Sequence, residues 1–374
     1  MRPHRATVLL TAGLVTLLGT PAVAAAGTPA DLYVNSDTTC SDTGPGSKAL
    51  PFCLLSSAAR IVKPGQTVRM KARAHSAESL VIDRSGEPGK PITFVVETTS
   101  PLFPKAFLDG DLTVKGASHV RISGLGVGGT ARVSRSADIE LNAITSVRRD
   151  ADALVVGDAS KDVRVTRSQL TAVRIEGGAE RTLFSRNLNY GRPRAALTVV
   201  DAPGTVITNN TVYGACVTPL SMSGGSSGSA VFNNVIYAEP SADCPDAGLR
   251  KGINVSASAA VGTRADYNLI VGDPAVTLMA YKWAGASYRK PAEFAAATGQ
   301  GAHDIFRATS TGVGFNVAGS PTIDSADATA PGALVPDYSG LPALDDQRVP
   351  NTGKNGGYLD RGAVETSIGV TTVK

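Results

Sequence analysis

The chain has 374 residues, with 36 Lys and Arg against 32 Asp and Glu, 40 Gly and only 5% aromatic residues. This near-neutral balance argues against a nucleic-acid binder, which needs a clustered basic face, but leaves room for a local basic cleft facing an acidic polymer. Sparse charge, abundant glycine and scarce helical periodicity point to an all-β protein.

The N-terminus reads MRPHRATVLLTAGLVTLLGTPAVAAAG. Arg2, His4 and Arg5 form a basic head, and Val8 to Leu18 is an apolar run too short to span a bilayer. Ala22-Val23-Ala24 and Ala24-Ala25-Ala26 are small-residue cleavage patterns, so residues 1–26 are expected to be a secretory signal peptide rather than an uncleaved anchor. Its removal leaves 34 basic against 32 acidic residues. No later stretch is apolar for long enough to cross a membrane, so an extracellular chain with no membrane contact after cleavage is expected.

Residues 27–66 follow, with Cys40 and Cys53; Cys216 and Cys244 come much later. An even cysteine count in an exported chain predicts two disulfides. Sequence neighbours favour Cys40–Cys53 and Cys216–Cys244, with three connectivities open. The other readings, a metal site or a catalytic thiol, find no CxxC and no nearby His. Ser56 to Val62 predicts a short helix that Pro64-Gly65 stops, placed to shield the end of an apolar core.

From 67 to 275, short Val/Ile/Thr runs alternate with Gly, Asp, Asn and Ser. An asparagine recurs inside good strand sequence, as in VITNNTVY (206–213) and AVFNNVIY (230–237). A frame with an apolar residue three before and two after fits Ser123, Asn142, Ser168, Asn210, Asn234 and Asn268, and fits Asn187 on its leading side only. The spacings are 19, 26, 19, 23, 24 and 34 residues. A period near twenty with variable insertions matches the coils of a β-solenoid and not a sandwich, whose strands come every 8–12 residues or so. Stacked coils bring equivalent residues into register, so these seven positions are expected to form an Asn/Ser ladder at a corner that Asn tolerates.

Residues 276–374 hold a helix, Pro291 to Gly299, and an irregular tail expected to pack on the solenoid. The opening CSDTGPGSKALPFCLLSSAARIVKPGQTVRMKA (40–72) and the closing GSPTIDSADATAPG (319–332) and YLDRGAVE (358–365) complete the pattern. Together with the repeat, they resemble secreted bacterial right-handed parallel β-helix proteins of the pectin-lyase-like superfamily. The resemblance implies the fold over nearly the whole exported chain. It says little about function, because this fold hosts lyases, hydrolases, isomerases, esterases and non-enzymes.

Pectate-lyase-like enzymes use a basic residue to abstract a proton beside a uronate carboxylate, with calcium or a cationic side chain stabilising the charge. Polygalacturonase-like members use clustered Asp. Neither the Asp cluster nor the Arg-x-Pro-x-x-Arg element is present; GRPRAAL (191–197) is only a superficial match. His75, His119 and His303 are each isolated in sequence, and surface or capping roles are expected for His75 and His303. The insertion AEPSADCPDAGLRKGINV (238–255) is the remaining cluster. Lys251 or Arg250 is the candidate base, and Asp243 with Asp246 the candidate calcium site. The plainer reading is a solvated loop pinned by a disulfide. Tyr281, Trp283 and Tyr288 either stack on sugar rings or pack the C-terminal helix onto the coil.

The expected partner is extracellular polysaccharide and the expected state a monomer. One reading is a polysaccharide lyase on an acidic glycan. The alternatives are a non-catalytic glycan- or cell-wall-binding protein, or a structural exoprotein.

Overall fold

The computed structural model describes residues 30–36, 39–97, 106–146, 148, 151–191, 195–214, 217–238, 250–272, 278–314 and 317–366. Each coil passes through three short strands. In one coil, Ser118–Ser123 lies in the first sheet, Leu125–Val127 in the second and Ala131–Ser134 in the third, before the chain returns to the first sheet at Ala137–Asn142. Equivalent strands of successive coils pair in parallel, placing Val120 beside Ile139 and Ile139 beside Val163. Among the described residues, each sheet has ten strands. The chain is therefore a right-handed parallel β-helix, the hand that right-twisted parallel strands adopt.

Alternation along the strands builds the core. In Ala131–Ser134, Ala131 and Val133 are buried and Arg132 between them is exposed. Ile122, Leu141, Val165, Phe184 and Ile207 stack inward, coil on coil, with 0–1% exposure. Each such side chain contributes about 1.5–3 kcal/mol of burial.

Both ends of this core are closed. α1 (Leu55–Ala59) buries Leu55, Ala58 and Ala59. Its first N–H groups donate to the next coil, Leu55 N to Ser76 Oγ at 3.2 Å and Ser56 N to Glu78 Oε1 at 3.1 Å. The coil thus replaces a capping side chain. The Cys40–Cys53 disulfide staples the segment before it; Cys216 and Cys244 lie outside the described residues. A one-turn helix, α2 (Ala257–Ala260), follows the third-sheet strand Arg250–Val255. At the far end, α3 (Pro291–Thr298) starts on Pro291 and stops at left-handed Gly299. Its buried Phe294 stacks on Tyr281 with ring centres 4.0 Å apart.

The winding continues past residue 275, the expected limit. Leu278–Trp283 pairs with Arg250–Val255, and Ile305–Arg307 pairs with Leu269–Val271. α3 is therefore set within the last coil.

The corner between the first and second sheets carries the ladder. Asn187 Nδ2 donates to Asn210 Oδ1 at 3.1 Å, Asn210 to Asn234 at 3.0 Å and Asn234 to Asn268 at 3.0 Å. Ser168 N donates to Asn187 Oδ1 at 2.9 Å. All five residues are fully buried. Ser123 and Asn142 correct the expected frame. Asn142 is in register with Thr166, two positions before Ser168, and bonds to Ser123 Oγ at 3.1 Å in a half-buried neighbouring row. Ile144 and Leu125 hold the ladder position in those coils. The misfit has a simple cause. Inward positions recur every second residue, so an apolar frame slips by two without penalty.

Between these two rows the backbone turns through the left-handed region at Arg167, Arg186, Asn209, Asn233 and Tyr267, with φ of 49–59°. Such residues are costly unless something holds them. From Arg186 onward the holder is a strap, residues 317–366. Arg186 donates to Leu334 O, Gly362 O and Glu365 Oε1 at 2.9, 3.0 and 2.6 Å. Asn209 Nδ2 donates to Asp360 O at 3.0 Å, and Asn233 exchanges two bonds with Asp327 at 2.8 and 2.9 Å. Arg361 lies 5.4 Å over the Tyr267 ring. The strap comes so close at Gly332 that a Cβ there would sit 2.4 Å from Leu183 and 2.9 Å from Val206.

Candidate functional site

The three outer faces differ in what covers them. On the first sheet, Ala230, Phe232 and Val206 are packed under strap residues Ala330 and Ala333. On the second, Tyr190, Tyr213 and Tyr237 stack at 5.0 and 4.5 Å, nearly parallel, so both faces of Tyr213 and one face each of Tyr190 and Tyr237 are covered. Val235, Leu269 and Val271 beside them pack with Val313. The strap bonds to Ser185, Arg186, Asn209, Thr211, Asn233 and Asn268, on the first sheet and its corner with the second.

The third sheet carries a lane of polar side chains. Its strands alternate as L-T-V-V, L-S-M-S and Y-K-W, sending every second residue outward. Parallel pairing aligns Arg174 with Thr198, Thr198 with Ser221, Ser221 with Asn254 and Asn254 with Lys282. Arg132 lies two coils before Arg174 in the same row, with Val155 between them. From Arg174 to Lys282 one such residue appears every ~4.8 Å along the axis.

Charge is unevenly placed in this lane. Arg174 Nε and Nη2 both donate to Glu176 Oε2, at 2.9 and 2.7 Å, and Asp152 lies 3.8 Å away. Arg132 is exposed and Lys282 half-buried, and neither has an ion pair among the described residues. The middle is neutral, with Asn254 Nδ2 3.4 Å from Ser221 Oγ. The lane thus offers unpaired cations toward its ends and hydroxyl and amide groups between.

Lys251 stands at the rim of the lane, half-buried near the start of Arg250–Val255 and in register with Met279. The main chain of Arg250 is in that strand, and its side chain lies outside the described residues, as do Asp243 and Asp246. Among the described residues no group of three or more His, Cys, Asp or Glu is placed to hold a metal ion.

Of the two readings of the aromatics, the sugar platform is corrected and packing under the C-terminal helix holds for Tyr281 and Trp283. Tyr281 and Trp283 are on the third sheet but point inward, 0% and 4% exposed. Both pack against Phe294 of α3, leaving no open ring face for a sugar. Their parity in Leu278–Trp283 places them with Ile253 and Val255, on the core side. Tyr288, on the hairpin strand Ala286–Tyr288, stays half-buried at the end of the lane.

Arg132, Arg174, Asn254 and Lys282 are not singled out by any motif. Their signal is a polar residue between two apolar ones, repeated in most third-sheet strands and broken at Val81 and Val155.

The isolated histidines each have a carboxylate neighbour. His119 Nδ1 is 2.7 Å from Asp138 Oδ2, His303 Nδ1 is 2.9 Å from Asp266 Oδ2, and His75 Nδ1 is 3.4 Å from Asp109 Oδ1. Arg121 forks onto both oxygens of Asp138 at 2.7 and 2.8 Å. Burial pushes the Asp138 carboxyl up, but the Arg121 fork and His119 win and hold it below the usual range. These are balanced networks on or beside the solenoid wall. No helix among the described residues is long and apolar enough to cross a membrane.

No family model and no curated protein matches the chain. Among solved structures it is similar to a GH136 lacto-N-biosidase from Eubacterium ramulus, at 10% identity, TM-score 0.49, over 67% of this chain and 57% of that one. An alginate lyase from Paenibacillus sp. str. FPU-7 gives 12% identity and TM-score 0.36, over 68% of this chain and 94% of that one. The pectate lyase Pel9A gives 13% identity and TM-score 0.34, over 90% of this chain and 96% of that one. The chain spans 57–60% of the length of the two lacto-N-biosidase structures. At these identities and scores the likeness says nothing about activity.

Proposed function

We propose that this is an extracellular protein that holds an acidic polysaccharide along the outer lane of its third sheet. The observation that carries the reading is the register itself. Arg132, Arg174, Thr198, Ser221, Asn254 and Lys282 form one polar row on the face away from the strap. A polymer lying along the axis meets a hydrogen-bonding group at nearly every coil and, toward each end, a cation without an ion pair among the described residues. A flat, polar, repeating surface suits a repeating ligand better than a small molecule, which prefers an enclosed apolar pocket.

Catalysis is the sharper form of the same reading. A lyase needs a base beside a uronate carbon and a cation to hold the developing charge. Lys251, at the rim, is the base under this proposal, with Arg250 beside it in the chain. Asp243 and Asp246 are the proposed calcium ligands on the preceding segment. The leader expected at residues 1–26 and the Cys40–Cys53 disulfide support an extracellular setting.

The test incubates purified protein with acidic and neutral polysaccharides, with and without calcium, following ultraviolet absorbance, product mass and retention. Unsaturated uronate products establish a lyase and saturated fragments a hydrolase. Retention of acidic polymer without cleavage establishes a binder. Neither retention nor cleavage of any polymer overturns the reading.

A further inference from the structure

The strap is clamped by more buried acid than buried base. Glu365 Oε1 accepts from Arg186 Nη2 at 2.6 Å across a pair that is 1% and 0% exposed. Both Glu365 oxygens also lie 3.3 Å from Asp360 N. Asp360 accepts Asp324 N on Oδ1 at 2.8 Å and Thr366 N on Oδ2 at 2.7 Å. Asp324 accepts Asp346 N on Oδ2 at 3.1 Å, while its Oδ1 is buried with no hydrogen-bond partner among the described residues. Asp324, Asp360 and Glu365 are thus linked acids with one guanidinium between them.

The surroundings add acid rather than base. Asp337, fully buried, accepts Glu365 N at 2.7 Å and Leu341 N at 2.7 Å. Asp345 and Asp346 face Asp324 from the loop beyond it. On the solenoid side, Arg186 is the cation that meets the cluster. The other strap cations are engaged elsewhere, Arg348 on Asp346, whose charge it offsets, Arg361 on Ser325 O, Ser325 Oγ and Asn268 O, and Lys354 on Asp327 and Thr329. If Asp324, Asp360 and Glu365 all ionise, two buried negative charges are left with backbone N–H donors and the Thr366 hydroxyl but no cation, a costly arrangement in a low dielectric.

We propose that residues 317–366 form a proton-operated clasp, held on the solenoid corner when the Asp324–Asp360–Glu365 cluster carries protons and loosened when it loses them. The orphaned Asp324 Oδ1 is the natural proton site, because a neutral carboxyl there avoids a buried negative charge that no donor among the described residues meets. Burial, and then the charge of Asp360, raise the Asp324 carboxyl to about 6. Burial also raises Asp360 and Glu365, the latter against the pull of Arg186. Groups raised in the folded state stabilise it most below their ordinary values and lose that effect as pH climbs through the raised ones. The clasp is therefore tight in mild acid and loose in mild alkali. Opening it bares Val206, Ala230 and Phe232 on the first sheet.

Hydrogen exchange of the full mature protein, corrected for intrinsic rates, tests this between about pH 5 and pH 8.5. Protection of 317–366 is expected to fall at least about tenfold, the effect of one unit of linked titration, while that of Ser118–Ser123 and Ala137–Asn142 holds. Asp324→Asn keeps an acceptor for Asp346 N and removes one charge, so it should flatten the fall. Strap protection that is flat with pH in the unmodified chain overturns the clasp. So does a variant whose strap loosens as steeply as the parent.

Discussion

Asn268 donates its backbone N–H to Asp304 Oδ1 at 2.6 Å, so the asparagine ladder ends on a carboxylate and not on another amide. The second oxygen of that carboxyl accepts from the Tyr281 hydroxyl. Every rung from Asn187 to Asn234 donates toward the next coil, and Asp304 receives the last donation. Asp304 is part-exposed as a residue, yet both its oxygens are turned onto donors of the core, and burial raises its carboxyl to about 6.

Asp304→Ala strands the Asn268 N–H and the Tyr281 hydroxyl together. The expected loss is about 2–4 kcal/mol, from two unmet polar groups. Chemical denaturation of the variant checks this, and an unchanged midpoint would show that the ladder needs no terminator.

The register makes two asparagines that look alike in sequence unequal. Asn210 bonds to Phe184 O, Thr208 O and Asn234 Oδ1, and accepts from Asn187. Asn210→Leu is expected to cost about 3 kcal/mol or more. Asn142 is half-buried beside Ser123 and Thr166, so Asn142→Leu should cost less than about 1 kcal/mol. Equal losses in thermal melts would argue that both belong to one ladder.

Thermal stability should peak in mild acid. Arg181 lowers Asp162 and Arg348 lowers Asp346; Thr329 and Lys354 lower Asp327 despite its burial. Their stabilisation is present above the ordinary carboxylate range and lost as pH falls through their folded values. Asp304 and Asp324, both raised to about 6, act in the opposite sense, and their stabilisation is lost as pH rises toward and through that value. Melting temperature across pH checks both limbs. Asp304→Asn should flatten the upper one, and a plateau from about pH 5 to pH 8 in the parent would contradict the assignment.

The lane can be probed by charge. Arg132→Ala and Lys282→Ala should each weaken retention of an acidic polymer about fivefold at low salt, fading as salt rises. If Lys251 abstracts a proton, Lys251→Ala removes turnover and leaves retention nearly intact. Retention that is insensitive to Arg132 and Lys282 would move the ligand to another face.

The solenoid was legible because its signals are local. Short strands near a twenty-residue period, buried polar residues at one corner, a helix stopped by Pro64-Gly65 and another started by Pro291 need no knowledge of neighbours. Which asparagines share a row was not legible. Strand parity repeats every two residues, and only the packing of one coil on the next separates Asn142 from Ser168. The same limit hid the aromatics. Tyr281 and Trp283 read equally well as a sugar platform or a core, and the choice came from α3 lying across the coil end.

By itself, the sequence determined that this chain winds, that a helix closes its leading end and that asparagines line one corner, because stacking, capping and turn chemistry are written in short windows. The tertiary structure alone decided what each face is for. Arg186 and Glu365 meet across 179 residues to seat the strap. The coil-on-coil register lines up Arg132 through Lys282 into one row. Both depend on which surfaces packing covers, a property of the whole winding that no local window contains.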